Sequence, residues 1–362
     1  MTRISPVTPL LYTRSEAVVL ILMPFADVSR LLQKISVLFG VLNNFLLLVL
    51  IVFKSPKKLG TYKYLMVYIA LFEMSYSFLD FLSAAEIYSN GSVFFIVVDS
   101  NRSWLPRFLL LHANVAFCSV FGVSMFIFSI HFIYRYLVIQ GSQFFQKYHF
   151  QKVMGLIGFT IVIGILWSRL VCWLLLPFED ADEFMRREYL PPRHLNLSDV
   201  YYAGAYFHPI DRNGVKYINW DSLIGVALMT LVIFVSFSTV FFFGWKVYQK
   251  MNSLMMHQSS SSSTTKSLQS QLFWALVFQT LIPVVLMHIP VSIAFLASML
   301  DESIEVFGRI PTLTIFMYPA IDPLPNFFII NTYRDAILEC FGCFRKKRNE
   351  NIEMTSPKVT TS

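Results

Sequence analysis

Charged residues are scarce in this sequence: Asp, Glu, Lys and Arg make up 14% of the 362 residues, against about 25% in an ordinary soluble domain. Hydrophobic residues reach 56%, and 36 residues are phenylalanine. A soluble core of this size has no room for so many large apolar side chains, whereas lipid accepts them on the outside of a protein. The shortage of charge therefore excludes a soluble protein and favours one embedded in a membrane.

Cysteine is also sparse, with four residues in the chain. They are Cys118 and Cys172 inside apolar runs, and Cys340 and Cys343 near the basic C-terminus. Neither pair has histidine partners at zinc-ligand spacing, so no metal site or disulfide framework is predicted. Gly-rich phosphate loops and the His-Glu-x-x-His and Gly-x-Ser-x-Gly motifs are missing too, so neither an enzyme nor a cofactor is expected.

No polar linker divides the chain into domains, and apolar runs dominate it instead. A helix that crosses a bilayer needs about 20 mostly apolar residues. Seven runs qualify, numbered here as spans 1 to 7: Ile35–Phe53, Tyr64–Ser83, Arg107–Ile139, Val153–Leu176, Leu223–Val247, Leu272–Met299 and Ile310–Ile330. The predicted fold is an all-α membrane protein with a seven-transmembrane helix bundle over residues 35–330.

The two ends of the chain are assigned separately. Residues 1–34 are predicted to form an N-terminal segment, in which the run Ala17–Ala26 is too short to span and resembles an interfacial or signal-type stretch. Residues 331–362 are predicted to form a membrane-surface helix and tail. Cys340 and Cys343 on this helix are palmitoylation candidates, and the following basic cluster would meet anionic lipid of the bilayer.

The distribution of charge predicts the orientation. The first, third and fifth connections between spans carry lysines without acids, and acids gather in the fourth and sixth. Because basic connections stay on the cytoplasmic side, an extracellular N-terminus and a cytoplasmic C-terminus are expected. The three glycosylation sequons all fall on the predicted outer side, at Asn90, Asn101 and Asn196. The basic residues form no continuous patch, so nucleic acid is not an expected partner.

Three acids fall inside predicted spans. Glu73 and Asp80 on span 2 are seven residues apart, so they share one helix face. An acid at mid-membrane costs roughly 2.5–3.5 kcal/mol on insertion scales, so this face should turn into the bundle, either as a polar switch or ion site or to fix helix packing. In span 7, Asp322 lies between Pro319 and Pro323, which must break or kink the helix and favour a moving part.

Other polar residues indicate where a ligand and a cytoplasmic partner would bind. Arg135 and Tyr136 end span 3 at the predicted cytoplasmic boundary, where Arg135 either extends to the interface or reaches under the bundle and holds a closed state. The outer halves of the spans are mostly apolar, and a cavity there would suit small, poorly charged ligands. The ligand-binding candidates are His112, Asn114, His288 and Tyr318.

Seven spans with an outward N-terminus suit a receptor, and two other classes remain open. An ion-coupled transporter would use the membrane acids as its ion site, although such proteins usually carry several acids in a relay or paired broken helices. A ligand-gated cation channel of the insect odorant-receptor kind also has seven spans, but with a cytoplasmic N-terminus. A retinal pigment needs a lysine in the last span, and Ile310–Ile330 contains none.

Several segments resemble the Str-type group of nematode seven-helix chemoreceptors. They are Lys54–Tyr64 followed by Glu73 and Asp80, Phe117–Gly122 leading to Phe132–Tyr136, and Tyr318–Leu324 followed by Tyr333-Arg334. The likeness covers roughly Gln33 to Arg348. It implies a G-protein-coupled receptor on sensory cilia that detects odorant-like small molecules and signals to a heterotrimeric G protein.

The chain departs from rhodopsin-like receptors in general at three places. Tyr134 stands where an acid usually precedes the arginine, so Arg135 lacks a neighbouring carboxylate. The Asn-Pro-x-x-Tyr signature of the last span is not matched. Cys118 lies well inside span 3, and the fourth connection has no cysteine, so the usual outer disulfide cannot form. The activation mechanism is therefore not carried over in detail.

Overall fold

The computed structural model describes residues 14–140, 149–256, 263–340 and 342, with side chains described from residue 28 and outside 141–149 and 254–266. Within these ranges six helices are long and apolar enough to cross a membrane, and the bent pair Glu305–Ile329 and Asn331–Cys340 supplies a seventh span. The predicted seven-helix bundle is confirmed. The five helices that form spans 1 to 5 are Arg14–Phe53, Tyr62–Ser83, Arg107–Ile139, His149–Leu174 and Trp220–Met256.

Spans 6 and 7 are interrupted at their prolines. Span 6 consists of Ser263–Pro283, a π-type turn at Val284–His288 and Ile289–Met299. Span 7 consists of Glu305–Ile321 and Leu324–Ile329, separated by Asp322 and Pro323. The helix Asn331–Cys340 then turns by 97° from span 7, the geometry expected of a helix that leaves the bundle to lie across its end.

Span 1 begins earlier than predicted. Its helix starts at Arg14, so it contains the run Ala17–Ala26 that was expected to stand apart. Among the residues with described side chains, Val28–Phe53 is apolar and long enough to cross a membrane, so the span extends to the N-terminal side of the predicted start at Ile35. The hydropathy of the sequence does not reveal where this helix begins, because polar residues occur in its first turns. One of them, Gln33, is compensated by a 2.9 Å hydrogen bond from its Nε2 to the Asp80 carboxylate on span 2.

Span 3 lies at the centre of the bundle. Of the 18 residues in its most apolar stretch 67% are buried, against 17% for spans 4 and 5. It packs against span 5 along its length and against spans 2 and 4. Gly122 allows span 4 to pack closely here, because a Cβ there would lie 2.3 Å from the Trp167 ring of span 4.

A three-stranded antiparallel sheet covers one end of the bundle, called here the sheet end. Strands β1 (Glu86–Asn90) and β2 (Val93–Asp99) form a hairpin between spans 2 and 3, and β3 (Val200–Tyr206) comes from the connection between spans 4 and 5. The all-α prediction missed this sheet. The signal was present, because Gly91-Ser92 between aromatic and β-branched residues is a two-residue hairpin pattern with glycine in the first position, and Gly91 adopts a φ of 55°.

Candidate functional site: an apolar cavity and a polar core

A cavity of about 710 Å³ lies between spans 3, 4, 5 and 6 directly beneath the sheet. Its walls are mainly aromatic and aliphatic, and none of the described lining residues is charged. The polar groups in the wall are few: Cys118, Thr230, His288 and Ser292, with the indole of Trp167. A cavity of this size with a few polar groups in an apolar wall is typical of small-molecule sites.

The sheet forms the roof of this cavity. Successive side chains of a strand point to opposite faces, and Phe94 and Ile96 of β2 line the cavity with Ala203 of β3. Phe94 stacks on Phe295 of span 6, with ring centroids 3.8 Å apart. The outer face carries Phe95 and other apolar residues, which pack under the helical segment Glu179–Tyr189. The roof is therefore two apolar layers thick.

Hydrogen bonds hold the roof to the spans. Asn114 of span 3 donates from Nδ2 to the carbonyl of Ile96 at 2.8 Å and to that of Tyr201 at 3.3 Å. Ser298 of span 6 donates to the carbonyl of Val93 at 2.9 Å. These side chains bond strand carbonyls on the bundle side, so the sheet is fixed to spans 3 and 6.

A charged and aromatic cluster fixes the outer edge of the sheet. Arg193 has its guanidinium 4.1 Å over the Tyr189 ring and 5.3 Å over the Tyr88 ring, and it is 3.7 Å from the Glu305 carboxylate. Tyr189 donates a hydrogen bond to Glu86 of β1. Burial, and secondly the Glu86 carboxylate, raise the pKa of the Tyr189 phenol well above its usual value, so the hydroxyl remains a donor.

The structure brings one of the four predicted ligand-binding residues to the cavity wall. His288, at the end of the π-type turn of span 6, lines the cavity and lies 3.2 Å from the Ser124 hydroxyl through Nε2. His112 is exposed on span 3, and Asn114 is buried in its contacts with the roof. Tyr318 is buried below the cavity, with its ring 6.0 Å from that of Tyr76. The aromatic lining was not predicted, because such residues look the same when they face lipid.

A polar core lies below the cavity, where spans 1, 2, 6 and 7 meet. The buried carboxyl groups of Glu73 and Asp322 face each other. Gln279 of span 6 donates to Oδ2 of Asp322 at 2.6 Å, and Asn326 donates to Oε1 of Gln279 at 3.2 Å. Asp80, the third predicted switch residue, is buried nearer the sheet end and bonds Gln33 instead.

Two asparagines of span 1 donate hydrogen bonds to backbone carbonyls at the break in span 7. Proline has no N–H, so Pro323 leaves the carbonyl of Pro319 without its helical donor. Asn44 supplies one through Nδ2 at 3.0 Å, and Asn43 bonds the next carbonyl, of Ala320, at 2.8 Å. The predicted break therefore exists, and two of the carbonyls beside it receive donors from span 1, in keeping with the need to satisfy backbone groups inside a membrane.

Arg135 turns into the bundle at the end opposite the sheet. Its side chain is 3% exposed, so it does not extend to the interface. It donates to the carbonyl of Gln269 on span 6 and lies over the Tyr62 ring of span 2. Tyr136 is half-buried and contacts Phe243 of span 5, with ring centroids 5.4 Å apart. Two positions were considered for the Arg135 side chain, and in the structure it reaches under the bundle.

The predicted modification sites fall at both ends. Asn101 and Asn196 are exposed at the sheet end, whereas Asn90 is half-buried beside the hairpin turn, with Nδ2 bonded to the Tyr88 hydroxyl at 3.3 Å. At the opposite end Cys340 is an exposed free cysteine, and Cys343 lies outside the described residues.

A family model described as the serpentine-type 7TM GPCR chemoreceptor Str matches residues 29–338. G-protein coupled receptor str-217 of Caenorhabditis elegans is 32% identical over 318 residues, which are 87% of this chain and 91% of that protein. Serpentine receptor class r-10 of the same organism is 27% identical over 304 residues, 83% and 87% of the two chains. The crystal structure of squid rhodopsin superposes with a TM-score of 0.60 over 91% of both chains at 12% identity, which shows the fold.

A seven-helix bundle with a cavity under its covered end and a polar core below defines a multi-pass membrane protein of the rhodopsin fold. The chain belongs to the serpentine-type 7TM GPCR chemoreceptor Str family, a family of receptors.

Proposed function

We propose that this chain is a chemosensory receptor of olfactory type that binds a small uncharged ligand in the cavity beneath the sheet and signals to a heterotrimeric G protein. The observation that carries this proposal is the 710 Å³ cavity with an uncharged lining in a member of a receptor family. A charged ligand would meet no described counter-charge in the wall, and leaving a charge unpaired in an apolar site is costly. Neutral molecules with one or two hydrogen-bonding groups match His288, Thr230 and Ser292.

The contacts of span 6 support a physical connection through which ligand binding in the cavity affects the opposite end of the bundle. The cavity touches span 6 at His288, and the same span reaches Asp322 through Gln279 and Arg135 through the Gln269 carbonyl. The π-type turn and the prolines beside it weaken the continuous helical ladder between these points. A ligand that favours one arrangement of span 6 shifts the population of states, and the polar core and Arg135 respond together.

The proposal includes an orientation and a location. The sheet end faces outward with the N-terminus, and the Arg135 end faces the cytoplasm, in the plasma membrane of a sensory cilium. The acid-rich connections at the sheet end and the basic connections at the other support this orientation. An epitope at the N-terminus should stain unpermeabilised cells, and staining only after permeabilisation would favour a channel of the insect odorant-receptor kind.

A reporter screen tests ligand class and coupling together. Cells expressing the full chain and a calcium or cyclic-nucleotide reporter receive neutral volatile and water-soluble molecules, with charged analogues of matched size, and the screen is repeated with G-protein signalling blocked. Responses to neutral molecules that vanish under the block are expected. Responses that survive the block would overturn the proposal in favour of a channel or transporter.

Substitutions in the wall connect the response to the cavity. Cys118→Phe adds a large ring to the cavity and should abolish the response at normal surface expression. Cys172→Phe is the matched control, since Cys172 is exposed on span 4 and does not line the cavity. A full response in Cys118→Phe would place the ligand elsewhere.

A further inference from the structure

The wall of the cavity is not closed all round. Most of its lining residues are buried or half-buried, but some are also exposed on the outside of the bundle. A residue that is both wall and outer surface marks a place where the cavity reaches the outside. Every such residue belongs to span 5 or span 6: Ala227, Thr230, Leu231, Phe234, Ser292, Leu296 and Met299.

The spacing of these residues shows a single opening. On span 5 they recur at intervals of three and four residues from Ala227 to Phe234, and on span 6 from Ser292 to Met299, so each set forms one stripe along its helix. The outer part of span 6, Ile289–Met299, packs against span 7 and the sheet and hardly touches span 5. We call the opening between the two stripes the lateral gap.

The lateral gap faces lipid and not water. Phe234 is 66% and Leu296 54% exposed at its edges, and both belong to helices apolar enough to cross a membrane. The gap contributes two hydroxyl groups, of Thr230 and Ser292, and no charge among its described residues. Its chemistry suits a molecule that is already dissolved in the hydrocarbon.

The roof offers no comparable path from the aqueous side. Its inner residues Ile87, Phe94 and Phe207 are 6%, 2% and 0% exposed. A second apolar layer under Glu179–Tyr189 lies above them, and the bonds from Asn114 and Ser298 fix the sheet to the spans. A ligand that arrived through the roof would have to separate paired strands from spans 3 and 6.

We propose that ligands reach the cavity from within the bilayer through the lateral gap, and that they are uncharged molecules that partition into lipid. This rests on the proposed function, in which the cavity is the ligand site. Burial of each further methylene is worth about 0.8 kcal/mol, so each one raises the concentration in lipid about fourfold. The bilayer is then the reservoir from which the receptor is loaded, and a charged analogue is excluded before it reaches the cavity.

Binding kinetics test the route separately from the site. The purified full chain in lipid nanodiscs is mixed with the neutral fluorescent probe N-phenyl-1-naphthylamine, and specific binding is the part lost in the cavity-filling variants Cys118→Phe and Val291→Phe. The pair Ala227→Trp with Leu296→Trp narrows the gap at its edges. Because an entrance is also the exit, association and dissociation rates should both fall about tenfold while Kd stays within about twofold.

Two further sets of variants control the result. Leu228→Trp with Ile293→Trp places the same Trp side chains at exposed positions of the same helices outside the cavity lining, and should leave both rates unchanged. A series of single variants with Leu, Phe and Trp at Ala227 should lower both rates in order of side-chain volume. This series tests the route even if the double variant fails to fold. Asn114→Ala weakens the roof and should not speed entry.

Each contrary outcome overturns the route. Unchanged rates in the narrowed variants, or faster entry in Asn114→Ala, would mean that ligands pass the roof. No saturable binding of the probe to the unmodified chain would overturn the ligand class. G proteins are absent from the nanodiscs, so failure of coupling shows only in the cell reporter and failure of the route only here.

Discussion

Arg135 of span 3 donates a 2.8 Å hydrogen bond from its guanidinium to the backbone carbonyl of Gln269 on span 6. The same guanidinium carbon lies 5.0 Å from the centre of the Tyr62 ring on span 2. Tyr134, which stands where an acid is usual, directs its hydroxyl to Thr61 at 2.7 Å. Arg135 thus joins three spans through a neutral acceptor and an aromatic face, and no carboxylate among the described residues pairs with it.

Removing the ring below Arg135 should loosen this arrangement. In Tyr62→Leu the side chain stays apolar but the cation–π contact, worth about 1 kcal/mol, is lost. If the contact belongs to the closed state, ligand-independent signalling should rise about fivefold at equal surface expression. Tyr64→Leu on the exposed side of the same helix is the control. A basal signal in Tyr62→Leu equal to that of the parent chain would contradict the closed-state role.

Asp322 is expected to act in signalling more than in folding. It lies at the break in span 7 and accepts the 2.6 Å bond from Gln279 of span 6, so it joins the two spans that the proposed mechanism sets in motion. Asp322→Ala should reach the cell surface but give a maximal response lower by about tenfold, a loss of about 1.4 kcal/mol in the active state. Asp335→Ala removes an acid that is 61% exposed and should signal normally. Normal responses in Asp322→Ala would end the switch interpretation.

Two glycines should respond oppositely to alanine. A Cβ at Gly308 of span 7 would lie 2.4 Å from the carbonyl oxygen of Ile87 in β1, so Gly308→Ala forces the sheet away and should cost about 1–3 kcal/mol. Gly158 of span 4 has no such neighbour within 4 Å, and alanine there should stabilise the helix by about 0.5–1 kcal/mol. Thermal denaturation in detergent measures the stability of the two variants. Equal melting temperatures would show that β1 can move to make room for the added Cβ at little cost.

The stacking of Arg193 should matter more than its charge. Arg193→Lys keeps the charge but loses the planar group that contacts Tyr88 and Tyr189, and a cost of about 1–2 kcal/mol is expected for this largely buried site. Arg187→Lys is the matched change at a side chain that is 65% exposed and paired with Glu183, and should cost less than about 1 kcal/mol. Equal melting temperatures for the two variants would mean that charge alone is sufficient.

The helical part of the fold could be predicted because lipid imposes simple demands. Each crossing helix must be apolar over its whole length, and a buried acid such as Glu73 must face the interior. The prolines of span 7 specify its break through their missing N–H groups. These rules are local, so one sequence is enough to apply them.

The cavity could not be predicted because its lining is assembled from separate segments. Phe94 of the hairpin meets Phe295 of span 6 only when the sheet closes on the bundle. Asn114 was predicted as a ligand contact because a polar residue in an apolar span invites that interpretation, yet its partners are strand carbonyls that no sequence pattern reveals. The hairpin itself could have been predicted from Gly91-Ser92, the two residues of its turn.

In the roof, the backbone holds the strands together, whereas the side chains form the surface that faces the cavity. Its strands are joined by backbone hydrogen bonds in a fixed register, with Phe94 opposite Ala205 and Ile96 opposite Ala203, and such bonds form whichever side chains the strands carry. The inward side chains can therefore be exchanged one at a time while the scaffold persists. Among receptors built on such a roof, the ceiling residues are therefore the positions that can vary first with little loss of foldability.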